Sequence, residues 1–351
     1  MPDAYLIDLS RGPVLPADED AGGGGALVPL LDDLLQRLPT LAAHTDELLV
    51  GSPELGQARA EEAVLASGLR PSTAAVSLHR AGAGGDLALT QAVFGIASGY
   101  RRAAVVVGVG ASPPAMVGAD WPESARWRYT PTAPAVAAGF CALRAELDQD
   151  RINAEQERRL AERNAPARGR LAIGPLPGEP VGGRDRGEGA CTVWPGAVEQ
   201  ARPADVGGAA LAVLAESELL RAEGWTARAR IASVETVAGD PAATWHRPVD
   251  AALACLNRVQ LRADELHLVQ VDTPCGALPL AVAGALGLPV DQVNAYGDAC
   301  DSGRAPGAAA ILSLLRLVHA LEAQDQRFGL LLTTSLSGQA TAFLVDREFY
   351  L

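Results

Sequence analysis

The stretch SLHRAGAGGDLALTQA, residues 77–92, reads as the end of a strand, a glycine turn and the first turns of a buried helix. Strand-to-helix elbows of this kind often carry a nucleophile, because N–H groups at a helix start stabilise a thiolate or an oxyanion. This elbow holds Gly82, Ala83, Gly84 and Gly85, and no nucleophile. The elements on either side of it explain why the turn is there.

Working outward, the elbow belongs to an order of elements that occurs twice. In the first copy DELLVGSPELG (46–56) leads to an apolar stretch, Ala63 to Leu69, then the strand-like AAVSLH and the elbow. In the second copy DELHLVQVDTPCG (264–276) leads to LAVAGALGLP (280–289), the short strand QVNAY (292–296) and the glycine-containing GDACDSGRAPG (297–307). Each elbow runs into an apolar helix, Asp86–Ser98 or Ala308–Leu321, and then a strand, 102–110 or 328–335. Alternating β and α elements with near-continuous apolar strands predict mostly parallel sheets covered by helices on both faces. Between the copies the chain changes character: residues 111–205 hold a loop-like segment, a charged helix over 144–163 and the Pro/Gly-rich GPLPGEPVGGRDRGEG (174–189). GGAALAVLAESELLRAEG (207–224) then resumes a strand and a helix.

Composition narrows the chemistry. All 29 basic residues are arginine, which excludes a Schiff-base lysine, pyridoxal phosphate catalysis and a Walker-type phosphate loop from this chain. The net charge of −13 argues against nucleic acid or an anionic membrane as the main partner. Five cysteines, Cys141, Cys191, Cys255, Cys275 and Cys300, are odd in number and show no CxxC pairing. That speaks against a disulfide framework or a metal site and for a reducing, cytoplasmic setting. No apolar run is long enough to span a membrane, and the first ten residues lack the basic start of a signal peptide. GVGASP (108–113) and GAGG (82–85) do not complete a dinucleotide-binding fingerprint.

Six segments in order resemble the thiolase superfamily over almost the whole chain. They are GQARAEEAVLASGL (56–69), the elbow at 77–92, ALRAELDQDRINAEQERRLAERNAPARGRLAIGPLP (142–177), VGGAALAVLAES (206–217), QVNAYGDACDSGRAPGAAAIL (292–312) and TTSLSGQA (333–340). The resemblance implies an α/β thiolase fold: two pseudo-duplicated βαβ halves in a layered α-β-α-β-α core, with an inserted loop subdomain. The implied boundaries are residues 1–110 with 206–230 for the N-terminal half, 111–205 for the insertion and 231–351 for the C-terminal half.

Thiolase chemistry uses a nucleophilic cysteine at the first elbow, a histidine in a Gly-His-Pro turn, a second cysteine near the C-terminus and an Asn or His that positions a water or the thioester oxygen. Carried over by resemblance, these positions fall on Gly82, Arg304, Thr334 and Asp272. None can do the family's work: Gly82 has no side chain, Arg304 is permanently protonated, Thr334 has no base beside it in sequence, and Asp272 is an anion in place of a neutral donor. Arg304 either pairs with Asp272 across the vacated pocket or faces a partner or an acyl-CoA phosphate. Cys275 and Cys300 lie beside the old turns and read as small loop residues. His79 reads as a packing or capping residue at the elbow, and His246 as a loop residue. Trp121, Trp127 and Tyr129 cluster in the insertion, where the family forms its acyl-CoA approach and subunit contacts.

The resemblance therefore implies a non-catalytic thiolase-like subunit that pairs with an active thiolase or condensing enzyme, as chain-length factors do in type II polyketide synthases. Two alternatives stand beside it: an acyl-CoA-processing enzyme of altered chemistry using Asp272, Cys275 or Cys300, and a homodimeric protein that binds acyl-CoA or acyl carrier protein. The short stretch between GVGAS and TAPAVA implies a dimer. No metal is expected, and no cofactor beyond a coenzyme A thioester as ligand.

Overall fold

The computed structural model describes residues 3–12, 27–53, 59–80, 84–110, 207–239, 246–272, 277–297, 305–335 and 338–349. The first half contains β1 (Ala4–Arg11), α1 (Leu27–Arg37), α2 (Leu41–His44), β2 (Glu47–Ser52), α3 (Ala60–Ala66), β3 (Ala74–His79), α4 (Gly84–Ala97), β4 (Ala103–Gly110), β5 (Gly208–Ala215) and α5 (Ser217–Glu223). The second contains β6 (Ala229–Ala238), α6 (Arg247–Arg258), β7 (Leu268–Val271), α7 (Ala277–Leu286), α8 (Ala309–Ala323), β8 (Phe328–Ser335) and β9 (Gln339–Asp346).

Local sequence accounts for these elements. Leu27, Leu30, Leu31 and Leu34 recur at helical spacing and bury one stripe of α1. Gly224, at φ 67°, closes α5 in the left-handed conformation that glycine adopts without strain. Every residue of β2, β4 and β5 is buried, as their unbroken apolar runs predict.

The strands form one hydrogen-bonded sheet in the order β3-β2-β4-β5-β1-β6-β9-β8-β7. One apolar cluster combines α4 and α8 with strand residues from both ends of that order, including Leu49, Val106 and Ala212 from the first half and Leu268, Leu331 and Phe343 from the second. The sheet therefore bends at β1, which pairs with β5 and, through Ala4–Leu6, with β6, and wraps around the two helices. A second cluster packs α1, α3 and α5 on the outer face of the first half, and a third packs α6 and α7 on that of the second. The result is the expected α-β-α-β-α layering.

Two sequence expectations are corrected. Only β2–β3, β2–β4 and β7–β8 run parallel, so the sheet is mixed. The remaining pairs, β1–β5, β1–β6, β4–β5, β6–β9 and the β8–β9 hairpin, are antiparallel. QVNAY forms no strand but a 3-10 turn at Val290–Gln292 and a single bridge from Val293 to Val269. Asn294, at φ 51°, ends any extension of it: its side chain accepts from the Val271 N–H at 2.6 Å and donates to the Val271 carbonyl at 3.2 Å, in place of a ladder.

The glycines of the first elbow and of the second meet backbone to backbone. A Cβ on Gly84 would lie 2.2 Å from the Ser52 carbonyl oxygen, one on Gly85 2.3 Å from that of Gly307, and one on Gly307 1.8 Å from that of Val109. Gly307→Ala is expected to cost at least ~3 kcal/mol or abolish folding, since only backbone can yield there. Gly284→Ala, in open space on α7, is expected to stabilise by about 0.5–1 kcal/mol. Urea denaturation of both variants measures the contrast.

Candidate functional site

The parallel pairs β2–β3 and β7–β8 end near the start of α4, and in α/β sheets the carboxyl ends of such strands are where ligands bind. Three side chains from two distant parts of the chain meet there. Asp86, in the first turn of α4, is 1% exposed. Its Oδ2 accepts a hydrogen bond from Arg80 Nη1 at 3.0 Å and another from Thr333 Oγ1 at 3.1 Å. Arg80 follows β3, and its backbone N–H donates to the Ser52 carbonyl at the end of β2. Thr333 lies in β8, 247 residues from Asp86, so this contact joins the two halves of the molecule.

Asp272 joins them from the end of β7. Its N–H donates to the Leu332 carbonyl, which sets it beside Thr333. Strand alternation turns both side chains to the face that carries Leu268 and Leu331, the face packed on α4. Asp272 is 3% exposed and close enough for its charge to act on Asp86.

Burial is the dominant influence on Asp86 and pushes its carboxyl up to about 6. The Arg80 guanidinium, the Thr333 hydroxyl and the Leu87 N–H oppose this without cancelling it, and Asp272 adds to the rise. Asp86 Oδ1 is buried and has no hydrogen-bond partner.

Of the residues read from the sequence, Asp272 lies in this cluster and Thr334 sits next to it. Thr334 is buried, but alternation places it on the opposite face with Leu330 and Leu332, and its Oγ1 makes no hydrogen bond. The residue that touches the cluster is its neighbour Thr333. His79 is exposed at the end of β3, and His246 is exposed at the start of α6. Gly82, Arg304, Cys275, Cys300, Trp121, Trp127 and Tyr129 lie outside the described residues, and so does the Asp272–Arg304 pair.

Sequence reading missed Asp86, Arg80 and Thr333. An acid in the first turn of a helix is an ordinary sight, because it complements the helix dipole. Only its burial and its contact with β8 distinguish it. Among the described residues no group of three or more His, Cys, Asp or Glu could hold a metal ion. None of the described helices is long and apolar enough to cross a membrane.

Comparison with known proteins agrees with this architecture. Residues 225–347 match the family model of the thiolase C-terminal domain. An acetyl-CoA acetyltransferase of Escherichia coli (strain K12) is 33% identical over 141 residues, 40% of this chain and 36% of the relative. The 3-oxoadipyl-CoA/3-oxo-5,6-dehydrosuberyl-CoA thiolase of the same organism is 30% identical over 142 residues, 40% of this chain and 35% of the relative. The matched segment thus spans about a third of these relatives' length. The fold extends much further than the sequence match. Human mitochondrial 3-ketoacyl-CoA thiolase in complex with CoA superposes with a TM-score of 0.79 at 17% identity, covering 99% of this chain and 98% of that one. Acat5 thiolase from Ascaris suum in complex with coenzyme A gives 0.78 at 17% identity, covering 99% and 100%. Residues 225–347 thus match the thiolase C-terminal domain by sequence, and nearly the whole chain has the thiolase fold.

Proposed function

We propose that this chain is a thiolase-fold subunit that does not carry out cysteine-dependent acyl transfer and that works beside an active thiolase or condensing-enzyme partner. The observation that supports this reading is the combination of a retained fold with replaced chemistry. The fold extends over 99% of the chain, while the positions that the sequence resemblance assigns to the family's nucleophile, base, second cysteine and positioning donor are Gly82, Arg304, Thr334 and Asp272. Acyl transfer through a thiolate needs a nucleophile, a base to activate it and donors for the oxyanion. A glycine, a permanently charged arginine and a threonine without a hydrogen-bonded base cannot supply the first two. Asp272 is an acid where the family places a neutral donor.

The ligand this reading favours is a coenzyme A thioester, since two structural neighbours are CoA complexes. β3 supports the pairing half of the proposal: among the described residues it is an edge strand, and all six of its residues are partly or fully exposed. Unpaired edges are sites where a second chain can add. A second reading, an acyl-CoA-processing enzyme of altered chemistry, is favoured by the buried Asp86–Asp272 pair.

Co-expression with thiolase-like neighbours from the same genome tests the pairing. A stable heteromer, or a partner whose acyl-chain preference shifts, is the expected outcome. A homodimer that ignores every neighbour and alters none of their activities would falsify it. Thermal-shift titration with CoA thioesters tests the ligand, because binding to the native state must raise the melting temperature. Finally, the double substitution Gly82→Cys and Arg304→His is expected to leave thiolysis of acetoacetyl-CoA at background, because Thr334 and Asp272 are unchanged. Recovered thiolysis would show that the remaining site is intact.

A further inference from the structure

Two carboxyls among the described residues are buried to 1% exposure, Asp86 and Asp346, and they are built differently. Asp346, at the end of β9, has both oxygens occupied. Its Oδ1 accepts from Arg327 Nε and the Glu348 N–H, and its Oδ2 from Arg230 and Arg327 Nη2. Burial pushes its carboxyl up, but these partners outweigh it and hold the group below the ordinary range. That is a carboxylate fixed as an anion to hold strands together.

Asp86 has the same burial and half the bonding. Arg80 and Thr333 both donate to Oδ2, while Oδ1 accepts nothing. Two donors on one oxygen confine any proton to the other. A structural role would be better served by saturating Oδ1, as in Asp346, because an unmade hydrogen bond to a buried oxygen costs stability. The other charges around Asp86 are few. Arg80 comes from the end of β3 and Asp272 from the end of β7. These are the two charged side chains that act on it. The guanidinium in direct contact favours the charged form of Asp86 and the carboxyl nearby opposes it.

We propose that Asp86 is an acid–base residue of a rebuilt centre at this elbow, exchanging a proton through Oδ1 with the α-carbon of a bound acyl thioester, while Arg80 and Thr333 position it. The ligand class rests on the coenzyme A reading given above; the proton chemistry goes beyond the partner role. In the step, the C2–H bond breaks and its proton forms the Oδ1–H bond. The released electron pair forms a C1–C2 double bond, and the carbonyl π pair moves onto the thioester oxygen. The reverse step returns a proton, exchanged with solvent, to C2. No nucleophilic cysteine, metal or oxidant enters the balance. A carboxyl titrating at about 6 is suited to give and take a proton near neutral pH.

The test incubates the full chain with propionyl-CoA in D2O and reads deuterium at C2 by mass spectrometry. Thermal shift with the same thioester is run in parallel. The wild type is expected to accelerate exchange roughly 10²-fold over buffer, with a rate that rises with pH through about 6 as the carboxylate form fills. Asp86→Asn should reduce exchange to the buffer rate while still binding propionyl-CoA. Thr333→Val, which removes a bond to the charged form, should move the pH midpoint upward. That variant also decides the matter if Asp86→Asn does not fold, since an unchanged midpoint overturns the proposal. Stability gives an independent reading. Between the ordinary value of 3.8 and about 6 the folded chain holds a proton that the unfolded chain has released. The wild type should therefore lose melting temperature relative to Asp86→Asn as pH rises through that window. Ligand-induced stabilisation without exchange, or full exchange in Asp86→Asn, overturns the acid–base role alone. Absence of both stabilisation and exchange overturns the coenzyme A reading together with it.

Discussion

The molecule depends on a place where two backbones touch with no side chain between them. Gly84 and Gly85 bring the start of α4 against the end of β2 and against Gly307, and Gly307 in turn lies on Val109 of β4. Close-packed interiors do not tolerate an added methyl where only backbone can move. This contact sets the distance between the two copies of the repeat, and with it the thickness of the helical layer that α4 and α8 share. The cluster around Asp86 exists because of that distance. The first turn of a helix in one half comes within hydrogen-bond reach of a strand in the other, and Thr333 closes the gap.

Much of this architecture was legible in the chain. The duplicated order of strand, helix, elbow, helix and strand is a pattern of apolar runs and glycine punctuation, and such patterns survive large sequence drift. Ends were close as well: the strand read at 328–335 is Phe328–Ser335, and the helix read as starting at Asp86 starts two residues earlier, at Gly84. Strand direction was less legible, because hydrophobicity records burial and not polarity of pairing. QVNAY looked like a strand since Val293 is buried and flanked by polar residues. Its pairing is replaced by the side chain of Asn294, an interaction between residues 23 apart that no local pattern encodes.

The site shows the same division more sharply. Asp272 was named from the sequence because the resemblance to a known motif points to its position. Thr334 was found for the same reason, and was one residue away from the side chain that makes the contact. Asp86 could not be found that way. Its distinguishing property is the loss of water combined with an unevenly filled carboxylate, and both depend on residues 6 and 247 positions away. A charge pattern along the chain cannot report desolvation, which is the first cause of the perturbed acidity at this position.

β1 shapes how the protein comes into being. It precedes the other described strands in the chain, yet its partners are β5, at residues 208–215, and the start of β6, at 229–231. During synthesis β1 must therefore wait until β5 has been made before it can pair, while β2, β3 and β4 find one another locally. Long-range pairing of this kind slows folding and leaves an apolar strand unpaired on the nascent chain. Once β1 docks it belongs to both halves of the sheet, so neither copy of the repeat completes itself alone. The duplication visible in the sequence is thus bound into one cooperative unit by a single strand.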